Sequence, residues 1–151
     1  MSPMEVLAYL VEWAAKDTAY NLDFFPADRL TWKAAPTAKS VLEMVNEMSS
    51  GARGMIPVLS GGSFAPPELP PAATVEAAKE LLLSAAGEYA QALRALKPED
   101  LDRQVDLGFG PIPLPRAAGL PAIEFIHHRG QIVFIQTLLG DTQDHFDMSA
   151  L

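Results

Sequence analysis

The 151 residues carry 19 acidic against 11 basic side chains, a formal charge of −8 at pH 7, so nothing offers a general attraction to nucleic acid or anionic lipid. Apolar residues make up 49% and charged ones 20%, a balance that supports one packed core of ordinary domain size and excludes wholesale disorder. The absence of cysteine excludes disulfides, thiolate metal ligands and thiol nucleophiles together.

Met1 to Leu10 has no basic leader, and no uncharged apolar run approaches the ~20 residues that span a bilayer, so a soluble, cytoplasmic protein is predicted, with no membrane partner. Ser2 followed by Pro3 marks a helix start. The spacing of Val6, Tyr9, Leu10, Trp13 and Tyr20 predicts a helix to about Leu22 with those residues inward and Glu12, Lys16 and Asp17 on other sides. Pro26 and Pro36 make Asp23 to Lys39 a linker with one short turn near Ala27 to Leu30. Ser40 and Glu43 form a capping box that opens a second helix reaching about Leu59, with Val41, Met44, Val45, Met48, Ala52, Met55 and Leu59 as its buried stripe.

Ser60 to Ala73, with two glycines and four prolines, is a long crossing loop. Thr74 caps a third helix from Val75 to about Leu96. Pro98 to Pro115 is irregular, and the alternation of Pro111, Pro113 and Pro115 favours extended backbone. A fourth helix spans about Pro115 to Leu139 and stops at Gly140; Pro121 inside it requires either a kink or a later start. No pair of segments alternates as a sheet requires, and the polar tail from about Asp141, which contains His145, is expected to be partly mobile. The whole reads as an all-α four-helix bundle with long crossover connections, in a single domain over residues 1–151.

Two residues break the apolar pattern of the fourth helix. Glu124 and His128 stand about 40° apart on the stripe that holds Phe125, Ile132, Ile135 and Leu139, so both are expected to point inward. Glu47, three residues after Met44, lies at the shoulder of the second helix's stripe. Two carboxylates and a neutral imidazole neutralise a divalent cation and leave positions open for water or substrate, a donor set suited to Zn, Mn, Fe or Ni. The bland alternative is a hydrogen-bonded or solvated pair. Glu43, one turn before Glu47, is a candidate to orient it. His127 points to a different side and is assigned to packing, and Arg129 either pairs with an acidic residue or is solvated.

The run Glu124-Phe-Ile-His-His-Arg-Gly-Gln131, ending in Leu-Leu-Gly140, resembles the C-terminal motif of the DinB/YfiT-like superfamily, whose members are regarded as metalloenzymes. Leu30-Thr-Trp-Lys-Ala-Ala-Pro36 and Lys39-Ser-Val-Leu-Glu-Met-Val-Asn-Glu47 resemble the same family's linker and second helix. The resemblance implies a four-helix bundle that often forms homodimers, with a metal site of one histidine on the second helix and two on the fourth. Here the matching positions hold Glu47, Glu124 and His128, a changed donor set. The implied activity is that of a metal-dependent transferase or hydrolase on a small molecule, in some relatives thiol-dependent. The alternative is a non-catalytic dimeric module that binds a small molecule, or serves structurally, without metal.

Overall fold

In the computed structural model, which describes residues 1–150, each of the three expected caps closes its helix start. Ser2 Oγ accepts from the Glu5 N–H at 3.2 Å to begin α1, Pro3–Leu22. Ser40 Oγ accepts from the Glu43 N–H at 3.3 Å while the Glu43 carboxylate accepts from the Ser40 N–H at 2.6 Å, which begins α2, Val41–Leu59. Thr74 Oγ1 accepts from the Ala77 N–H at 3.1 Å to begin α3, Val75–Arg94. All seven residues of the stripe expected on α2 are buried.

Glu43 also accepts a bond from Lys33 Nζ at 2.7 Å. The Lys33 ammonium first, and then the Ser40 N–H and hydroxyl, hold the Glu43 carboxyl down to about 2. A depressed folded value means a stabilising contribution that is complete above the ordinary 4.5 and disappears as pH falls toward 2. Melting temperature is therefore expected to drop more shallowly in Glu43→Gln than in the wild type over that window. Parallel curves in thermal melts from pH 5 to 2 would contradict it.

The fourth helix is two helices. A short α4, Leu114–Ala118, ends at Gly119, and α5 runs from Leu120 to Leu138. Pro121 occupies the second position of α5, where its missing N–H costs no intrahelical bond, so the later start is realised rather than a mid-helix kink. Around the core, α1 packs on α3 and α5, and α2 packs on the same two, so α1 and α2 face each other across the interior although consecutive in the chain. This order demands the long connections from α1 to α2 and from α3 to α5, whereas the loop over residues 60–73, expected to cross the bundle, joins the neighbours α2 and α3. Among the described residues, no helix is long and apolar enough to cross a membrane.

Three further expectations are corrected. A two-stranded antiparallel ladder does form, β1 Gln104–Asp106 against β2 Pro111–Pro113, with Val105 opposite Ile112. Each strand turns a single residue inward, which is too short to leave a periodic signal, and the prolines are tolerated because both strands are edges. On α1 the buried side is lined by Met4, Ala8, Val11, Ala15 and Leu22, roughly opposite the aromatic stripe read from sequence; Val6 and Tyr20 are exposed. Alanine allows close helix approach there but contributes little to an apolar periodicity. Asp17, expected on an outer side, is completely buried.

The polar tail is bound to the bundle through that aspartate. Asp17 Oδ2 accepts from Arg129 Nε at 2.6 Å and from Asn21 Nδ2 at 3.2 Å, and its Oδ1 accepts from the Asp147 N–H at 3.0 Å. Asn21 Nδ2 also donates to the His145 carbonyl at 2.8 Å, and the His145 ring stacks on Phe24 with centroids 3.8 Å apart. Arg129, for which pairing and solvation were both open, is thus paired, and its guanidinium lies 5.8 Å from the Trp13 ring centroid.

Candidate metal centre

Helix spacing decides which side chains can meet between α2 and α5. His128 lies among the buried residues Phe125, Ile132 and Ile135 of α5, with its side chain 4% exposed. Gln131, one turn later, places its amide oxygen 2.6 Å from His128 Nδ1; an amide oxygen can only accept, so this contact calls for a hydrogen on Nδ1, and in the neutral ring that tautomer leaves the lone pair on Nε2. That nitrogen is buried and makes no hydrogen bond.

Two carboxylates converge on it. Glu47 Oε2 of α2 lies 3.2 Å from His128 Nε2, and Glu124 Oε2, one turn earlier on α5, lies 3.3 Å away. The structure thus brings Glu47, Glu124 and His128 together, but not in the greasy surroundings expected. The glutamate side chains are 44% and 56% exposed, on the rim of the bundle. The break at Gly119 explains Glu124, because it places this residue within two turns of the start of α5, where the bundle opens.

The two separations from His128 Nε2 can be compared with those between ligands of one ion. Ligands each ~2.1 Å from one ion at tetrahedral or octahedral angles stand about 3.0–3.4 Å apart, which brackets both separations from Nε2. With the lone pair on Nε2, three electron-rich atoms face one another, and the Lys39 ammonium offsets this at Glu47 only. The convergence is pairwise, on the imidazole. Among the described residues, no group of three or more His, Asp or Glu is placed so as to hold a metal ion. Lys39 accounts for part of this, since its ammonium donates to Glu47 Oε2, the oxygen that also faces His128.

Lys39 is not singled out in the sequence, and Gln131 is read there only as capping a polar contact at the helix interface, not as the partner of His128. That pairing could have been read, because a residue three after a histidine on a helix is its neighbour. Glu43 is not near the imidazole by any bond; it is committed to Lys33 and Ser40. His127 is exposed, its ring edge-on to that of His128 with centroids 5.1 Å apart.

No protein-family model matches the sequence. No curated protein matches it either. Solved structures do. YjoA, a DinB-like protein of Bacillus subtilis, superposes with a TM-score of 0.74 at 20% identity, over 91% of this chain and 94% of YjoA. YfiT of the same organism superposes with a TM-score of 0.76 at 15% identity, over 91% of this chain and 87% of YfiT. The chain has the DinB/YfiT-like fold. A DinB-like protein of Bacillus cereus ATCC 10987 agrees, with a TM-score of 0.68 at 17% identity over 85% of this chain and 87% of its own. YfiT is described as a probable metal-dependent hydrolase with an unusual four-helix bundle topology. The DinB/YfiT-like arrangement is what sets α2 beside α5, and so Glu47 beside His128.

Proposed function

We propose that this chain is a metal-dependent enzyme, a hydrolase or transferase acting on a small molecule in the cytoplasm, with a divalent cation (Zn, Mn, Fe or Ni) held by Glu47, Glu124 and His128. One observation carries the reading: a buried imidazole nitrogen with no hydrogen-bond partner faces two carboxylate oxygens at ligand-to-ligand distance. The description of YfiT as metal-dependent supports it and favours hydrolysis. When bound, such an ion supplies Lewis-acid polarisation of a carbonyl and an acidified water. Gln131 holds the imidazole in the tautomer that leaves Nε2 free, and the two half-exposed carboxylates leave the outer side open to substrate.

Elemental analysis of protein purified without chelators or a nickel column tests the proposal. About one divalent ion per chain is expected in the wild type and none in Glu124→Ala. An empty wild-type protein that also takes up no Mn, Zn, Fe or Ni at millimolar concentration would sink it.

A second reading is favoured by the Lys39–Glu47 ion pair, in which the ammonium is itself the cation and the module binds without catalysis. It requires that added metal leave the melting curve unmoved. In both readings the homodimer is formed through the outer face of α5, where Ile123, Phe134 and Leu138 are exposed and a side chain at Gly130 would meet nothing. A sedimentation mass of one chain at micromolar concentration would remove it.

A further inference from the structure

Beside the two carboxylates opens a cavity of about 300 Å³. Its walls are Met48 and Met55 of α2, Leu120 at the start of α5, and Phe64, Leu107 and Phe109 from the connections. Glu47 and Glu124 close one end, and no lysine, arginine or histidine lines it; Lys39 lies on the far side of Glu47. The volume is roughly twice that of a ~150 Å³ cavity that holds benzene, so there is room for a ring and a short chain.

The two phenylalanines are placed there by specific backbone features. At Gly54 the loop between α2 and α3 lies directly on α2, the Ala65 N–H donating to the Gly54 carbonyl at 3.2 Å, and this contact carries Phe64 to the cavity. Phe109 sits between Gly108 and Gly110, whose φ angles of +100° and +104° only glycine adopts without strain. Asp106 Oδ1 accepts from both of their N–H groups, at 2.7 and 3.0 Å, and fixes the turn. Phe109 is left 72% exposed at the wall of the cavity, free to cover an apolar body placed there.

We infer that this cavity selects the substrate: a molecule with an uncharged, ring-sized apolar body lying against Met48, Met55, Phe64 and Phe109 and a neutral oxygen-donor head reaching the Glu47 and Glu124 end. A body carrying its own carboxylate would be desolvated against walls that hold no cationic partner and beside two negative charges, so it is rejected. The inference rests on the metal-centre reading for the role of the head and on the cavity alone for the choice of body.

Calorimetric titration of the full-length chain, loaded with Mn²⁺, against three amides tests it. The amides are 4-phenylbutyramide, 4-(4-carboxyphenyl)butyramide and butyramide. The uncharged aryl amide is expected to bind at least tenfold more tightly than either of the others. Phe109→Ser, at an exposed position where folding is not at risk, is expected to weaken it at least fivefold while leaving Mn²⁺ affinity unchanged. Equal binding of the carboxylated amide, a ring worth less than threefold, or no binding of 4-phenylbutyramide at all would overturn the inference. Failure to take up Mn²⁺ strikes the metal centre only: the same ranking in ion-free protein then upholds the cavity's selectivity, and a reversed ranking overturns it.

Discussion

Arg129→Met is expected to destabilise the protein by about 3–5 kcal/mol, because it strands the carboxylate of Asp17 in the interior. Asp17 has no exposed surface, and Arg129 Nε at 2.6 Å is its only ionic partner among the described residues. After the substitution, Asn21 and the Asp147 N–H would still donate to it, and neither carries charge. At roughly 2–4 °C of melting temperature per kcal/mol for a chain of this size, the loss is about 10 °C. The double variant Asp17→Asn/Arg129→Met removes the charge together with its partner, so it is expected to recover a large part of the loss. Urea unfolding with an unchanged slope measures both. A single variant costing under about 1 kcal/mol, or a double variant no better than the single, would mean that water rather than Arg129 satisfies Asp17.

Gly54→Ala is the second large effect. A Cβ there would lie 2.7 Å from Pro66 Cα, 2.8 Å from Pro66 N and 2.9 Å from a Phe64 ring carbon. Two of those atoms are backbone and cannot swing away, so the strain is expected at the upper end of the ~1–3 kcal/mol range for overpacking. Replacing a mid-helix glycine returns ~1 kcal/mol of helix propensity, which leaves a net loss of about 2 kcal/mol. Gly87→Ala in α3 is the control: a Cβ there meets nothing within 4 Å, and a gain of ~0.5–1 kcal/mol is expected. Opposite signs for these two alanines in denaturant melts would establish that the loop between α2 and α3 lies on α2. Equal, positive changes would mean that it does not.

What sequence could show depended on side-chain size and segment length. The stripe of α2 was legible because its inward positions are large and apolar, and so were the caps, which rest on local chemistry within four residues. The inward side of α1 was hidden because alanines, not aromatics, face α3 and α5. The hairpin was hidden because strands of three residues have no period. At the candidate centre, the meeting of Glu124 with His128 followed from their spacing of four, and that of Glu47 from its place on the shoulder of α2. Their exposure did not follow, since it depends on Gly119 interrupting the helix and on a cavity formed by two distant connections. The Arg129–Asp17 pair joins residues 112 apart, and no local pattern reports it.

Adjacent positions on α5 do different work. Arg129 fixes the rotation of the helix from the α1 side, and His128 faces α2. Because the anchor is elsewhere, the half-solvated acids at 47 and 124, whose pairs lie near the surface, can be exchanged at little cost to the frame. On the proposed metal reading the scaffold is then a socket with replaceable pins, in which the preferred element could be altered one side chain at a time while the body of the bundle stays as it is.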